Sequence, residues 1–80
     1  MSTRKLSNVS ISDFKEFLNK AGCHYQGTES GHEKWSRHDL LRPVIFQTHK
    51  DPIPEFIIKA NLRTLNLSRQ DFFNILFDIK

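Results

Sequence analysis

Ser30-Gly31-His32-Glu33-Lys34-Trp35 is the stretch whose reading decides the fold. Two small residues turn the chain, a histidine follows, and a large aromatic comes three places later. Side chains alternate faces along an extended strand. His32 and Trp35 are an odd number of residues apart, so a strand here sends Trp35 into a core and His32 to an open side. The turn at Glu29-Ser30-Gly31 calls for a partner strand before it. Residues 23–28 supply one, with Cys23 and Tyr25 on one face. After a polar-flanked loop over 38–43, residues 44–48 are rich in β-branched and aromatic side chains and form a third strand. Short connections pair such strands antiparallel. Placing Trp35 opposite Phe46 puts two large apolar groups on the core side. That register sets Lys34 against Gln47 and His32 against His49, two histidines side by side on the open face.

Helices flank the three strands. Ser10 is an N-cap with Asp13 three residues on, a variant of the capping box. Ile11, Phe14, Phe17, Leu18 and Ala21 recur at helical spacing, and Gly22 ends the helix. Past the Pro-containing loop 49–55, with Pro54 suited to a first turn, Phe56, Ile57, Ala60, Leu62 and Leu65 support a second helix ending near Asn66. Ser68 caps a third, again with Asp71 three residues on. Phe72, Ile75, Leu76 and Ile79 form its apolar stripe, widened by Phe73 and Phe77. A stripe so broad either docks on the sheet or meets another chain, which makes an oligomer through this helix a candidate. The expectation is one α+β domain over 10–80, preceded by a loose basic arm over 1–9.

With 80 residues the chain holds a modest core. A net charge of +3 and a pI of about 9.3 suit an anionic partner without requiring one. Cys23 is the single cysteine, so no internal disulfide forms, which fits a reducing compartment. The N-terminus lacks the apolar segment of a signal peptide, and no apolar run reaches the length of a membrane span. A soluble cytoplasmic protein is expected, with no membrane contact.

Two imidazoles on one open face, beside Lys34 and Lys50, have the groups needed to cleave RNA. One neutral histidine takes the proton of a ribose 2′-hydroxyl, the other gives a proton to the leaving 5′-oxygen, and an ammonium steadies the phosphate charge. Surface histidines on an ordinary strand explain the same residues more plainly. A metal site is the chemical rival: His24, His32, His38 and His49 are all potential ligands, but none has the spacing of a zinc finger or of a helical metalloprotease motif. Neither a metal nor another cofactor is expected. Cys23 reads as a small buried residue.

Three pieces together resemble the HicA family of small toxins, the ribonucleases of bacterial toxin–antitoxin pairs. They are the helix from Ser10 to Gly22, the segment Ser30-Gly31-His32-Glu33-Lys34-Trp35, and Val44-Ile45-Phe46-Gln47-Thr48-His49 followed by the helix and Leu67-Ser68. The resemblance covers roughly residues 10–77. It implies a fold like the double-stranded RNA-binding domain, α-β-β-β-α with an additional C-terminal helix. It further implies mRNA as target, His32 as the catalytic histidine, a second histidine at His49, and a HicB-type antitoxin covering the site. Lys59 is carried over as an RNA-binding position with Lys34 and Lys50. The chain departs from the family in reading Ser-Gly before the histidine and in having one lysine, Lys50, after His49 and before Pro52. The same fold used for RNA binding or protein interaction, without catalysis, is the alternative.

Overall fold

The computed structural model describes residues 6–78. Its elements run α1 (Ile11–Lys20), β1 (His24–Glu29), β2 (His32–Ser36), β3 (Val44–Gln47), α2 (Glu55–Leu65) and α3 (Arg69–Leu76). The strands form one antiparallel sheet in the order β1-β2-β3. This is the expected α+β arrangement: a helix, a three-stranded meander and two closing helices.

Local chemistry sets each boundary. The Ser10 hydroxyl accepts the Asp13 amide at 3.0 Å and starts α1. Gly22, at φ +86°, ends it: Gly22 N–H donates to Asn19 O and Cys23 N–H to Leu18 O, the paired bonds of a Schellman motif. Asn66, at φ +58°, ends α2 in the same way through Arg63 and Leu62. Ser68 and Asp71 form a complete reciprocal capping box on α3. Two cations add bonds to carbonyls at the C-terminal ends of α3 and α1. Lys20 Nζ donates to Leu76 O at 2.8 Å, and Arg37 donates to Ala21 O at 2.6 Å while gripping Asp39.

The inner face of the sheet carries Trp35, Val44, Phe46 and Glu33, all buried. Phe14 of α1 meets Phe46 edge-on at 5.3 Å, and Phe17 packs on Phe72 of α3 at 4.6 Å. The stripe of α3 therefore docks on α1 rather than on the sheet. In α2 the buried positions are Ile58, Asn61, Leu62 and Leu65, whereas Phe56 and Ala60, expected in its apolar stripe, are exposed. Asn61 explains the rotation. Its amide Nδ2 donates to Ile45 O at 3.0 Å and its Oδ1 accepts Ile45 N–H at 3.4 Å. α2 thus turns a polar residue inward to satisfy the outer edge of β3, which otherwise presents unpaired backbone groups.

Two further expectations are corrected, and β1 shows one irregularity. The arm expected over 1–9 is not loose at Leu6 and Val9, which are buried in the core, and Val9 O accepts Ile53 N–H; residues 1–5 lie outside the described residues, as does Ile79. The β2–β3 register differs by two residues from the one expected. Trp35 pairs with Val44, Glu33 with Phe46, Lys34 with Ile45 and His32 with Gln47, not with His49. A two-residue shift keeps every side chain on its expected face, so the apolar pattern fits both registers. Finally, β1 bulges at Gln26: Tyr25 pairs with Trp35 but Gly27 with Lys34. The bulge moves Glu29, opposite His32, onto the open face.

Candidate functional site

The β1–β2 connection places His32. Ser30 (φ +52°) and Gly31 (φ +77°) are both left-handed, and Glu29 pairs with His32, which makes a two-residue hairpin of the type I′ form. The tight turn fixes the first residue of β2 on a rigid corner. The His32 ring lies exposed on the open face, with Nδ1 3.2 Å from Ser30 O. A carbonyl oxygen only accepts, so Nδ1 carries the proton of that bond. The neutral ring then keeps Nε2 as its basic nitrogen.

His49 reaches the same corner by a different route. Past the end of β3, Thr48 N–H donates to Gly31 O at 2.9 Å, which carries the chain across the hairpin turn. The His49 ring then stands over Gly31, where an added Cβ would lie 3.5 Å from two of its ring atoms. The bond between Thr48 and Gly31 also sets the alternation of the ladder. His32 and Gln47 form a non-hydrogen-bonded pair, in which side chains approach most closely. Gln47, absent from the site expected from sequence, is thus the direct neighbour of His32. Only the correct register could have revealed it.

The three lysines divide. Lys34 shares the open face with His32 and forms a 3.9 Å ion pair with Glu29. Lys50, exposed, lines a small recess with Gln47, Ile53, Pro54, Phe56 and Ile57. Lys59 lies elsewhere, in a shallow groove with Leu6, Leu62, Arg63, Leu67 and Arg69, and is not brought to His32. Among the remaining histidines, His24 is exposed on β1 opposite Ser36 and His38 is exposed in the β2–β3 loop. Among the described residues no group of three or more His, Cys, Asp or Glu is placed to hold a metal ion.

Beneath the sheet, Glu33 is only 4% exposed. Its carboxylate accepts the Trp35 indole N–H at 2.8 Å and meets Lys15 Nζ at 3.5 Å. This link ties α1 to β2 directly behind the histidine. Burial pushes the Cys23 thiol above its usual range, which suits a packed residue rather than a nucleophile. The Arg37 hydrogen bonds hold the Asp39 carboxyl below its ordinary value.

No helix among the described residues is long and apolar enough to cross a membrane. Comparison of the chain with models of known protein families, with curated proteins and with solved structures finds no match.

Proposed function

We propose that the protein acts on RNA as an endoribonuclease in which His32 is the acid–base group. The observation that carries this reading is the setting of the imidazole: exposed on a rigid strand corner, its Nδ1–H engaged by Ser30 O, its Nε2 left open toward a ligand. Neutral Nε2 takes the proton of a ribose 2′-hydroxyl, and the 2′-oxygen attacks the adjacent phosphorus. The 5′-oxygen leaves with a proton, for which protonated His49 on the same corner is the candidate donor. The products are a 2′,3′-cyclic phosphate and a free 5′-hydroxyl. Lys34, on the same face, and Lys50, next in the chain to His49, are the candidates to offset phosphate charge. The resemblance to HicA toxins supports the same assignment, and with it mRNA as substrate, a HicB-type antitoxin over the open face, and a cytoplasmic setting. An oligomer would use the part of the C-terminal helix region left outside, where Phe77 is half-exposed.

One observation favours a second reading, RNA binding without cleavage: Gln47, not His49, stands opposite His32. Wild type and His32→Ala, expressed in parallel with growth and total RNA followed, separate the two. The first reading expects arrest with mRNA loss in wild type alone, with purified His32→Ala cutting about 100-fold or more slowly while binding RNA within a few-fold. Cleavage that survives in His32→Ala refutes the catalytic assignment. Binding by wild type with no cleavage establishes the second reading.

A further inference from the structure

Charge pairing is uneven over this molecule. Lys15, Lys20, Lys34 and Arg37 each meet a carboxylate. Arg42, Lys59, Arg63 and Arg69 are exposed, and among the described residues their side chains have no ion-pair or hydrogen-bond partner. These four gather on one side. Arg42 and Arg63 border the hollow of ≈ 660 Å³ between the 39–43 loop and α2, and Lys59, Arg63 and Arg69 border the groove beside it. Arg63 lines both, so hollow and groove join along the outer side of α2, where Lys59 and Arg63, four residues apart, share a face. The single carboxylate on either lining is Asp39, and Arg37 holds both of its oxygens, at 2.6 and 3.1 Å.

The hollow is apolar between its cations, lined by Leu40, Leu41, Pro43, Ile45 and Ala60. Its loop is held in place: Leu40 packs against the core and donates its N–H to Arg37 O, while Arg37 reaches back to Ala21 O. Leu41 thus stands fully exposed, at 103%, on a fixed loop. One exposed leucine means little alone. Beside an apolar hollow edged by unpaired arginines, it completes a surface of mixed character. We infer that this surface docks a segment of a partner protein in which a bulky apolar residue is followed by carboxylates. The apolar side chain enters the hollow against Leu41, and the carboxylates run past Arg63 toward Lys59 and Arg69, where guanidinium groups take them in paired hydrogen bonds. A nucleic-acid strand matches less of it. No aromatic side chain lines the hollow or the groove, so a base finds no ring to stack on. Phosphates would satisfy the cations and leave the leucines uncovered. The inference stands apart from the ribonuclease reading, since the His32 corner lies at the other end of β3.

The test is selection of random dodecapeptides displayed on phage against the full chain, followed by anisotropy and amide NMR with the enriched peptides made synthetically. The expected class carries Leu, Phe or Trp with two or more Asp or Glu within the next few positions. Its binding to wild type should shift amides in 39–45 and 60–64, a readout that needs no variant. Leu41→Ser, and separately Arg42→Glu combined with Arg63→Glu, should each weaken it about tenfold while melting like wild type, because these side chains are exposed and unpaired. Selection that yields no apolar–acidic class overturns the inference. So do peptides whose shifts fall elsewhere, or whose affinity survives both variants. Oligouridine that shifts the same amides and loses affinity in the double reversal, with no such peptide selected, overturns it in favour of a nucleic-acid track.

Discussion

Replacing Asn61 tests the account of how this small sheet is finished at its β3 edge. Asn61 is 7% exposed and holds both backbone groups of Ile45, one bond at 3.0 Å and a longer, weaker one at 3.4 Å. The two contribute about 1 kcal/mol and somewhat less, respectively. What replaces them decides the outcome. Asn61→Leu fills the space with an apolar side chain and keeps water from Ile45 N–H and C=O; two stranded groups at about 1–3 kcal/mol each cost about 3 kcal/mol together. Asn61→Ala leaves room, and Asn61 borders an open hollow of ≈ 660 Å³ formed with the 39–43 loop. Water can enter from there and take over both bonds, and alanine gains about 0.5 kcal/mol in helix propensity, so the cost falls to about 1 kcal/mol. The larger and more apolar residue is therefore the more destabilising. Trp35, the single tryptophan, reports unfolding by fluorescence in urea or heat. At roughly 4–8 °C per kcal/mol for a domain of this size, the leucine variant should melt more than about 10 °C below wild type and clearly below the alanine variant. A leucine variant as stable as wild type, or more stable than alanine, would refute the claim that Asn61 serves the Ile45 backbone.

Two further outcomes follow from the titrating groups. Because burial raises the Cys23 thiol, the thiolate is the form that burial disfavours: the thiol's contribution to stability is complete below the unfolded-state pKa and is lost as pH rises through the folded one. Labelling of Cys23 by a thiol reagent near pH 8 should thus be at least about 100-fold slower in the folded protein than in urea-unfolded chain, and fast labelling of the native state would show that the site opens. The Asp39 carboxyl is lowered by Arg37, so its contribution is present above the unfolded-state pKa and disappears as pH falls through the folded one. Asp39→Asn should melt slightly below wild type at neutral pH, and the two curves should converge in acid; a gap that persists there would assign the difference to packing.

Much of the fold was readable because its punctuation is local. Ser10, Gly22, Asn66 and the Ser68–Asp71 box act within a turn of chain, and the Ser30-Gly31 turn and the opposed faces of His32 and Trp35 follow from a period of two. What escaped the reading depends on distant partners. Two β2–β3 registers two residues apart bury the same faces, and a Trp–Phe pair, worth at most about 1 kcal/mol, does not decide between them. In the register adopted, Arg37 lies past the end of β2, bonded to Ala21 O and Asp39, and the β2–β3 loop is longer than expected. Asn61 and Glu33 are polar residues at inward positions, invisible to an apolar stripe until Ile45, Trp35 and Lys15 are in place beside them. Gln47 entered the candidate site only with the register.

The bulge at Gln26 has a consequence for how this molecule meets others. β1 is the sheet's other border, and an uninterrupted ladder there would offer a docking rail for any extended peptide. One extra residue between Tyr25 and Gly27 breaks the spacing of that rail. With Asn61 occupying the opposite border, neither side of the sheet is a good template for a fourth strand. Recognition by this protein then falls to side chains, on the open face or on the helices. A strand-shaped partner in solution, including a second copy that has lost its fold, finds little to align against.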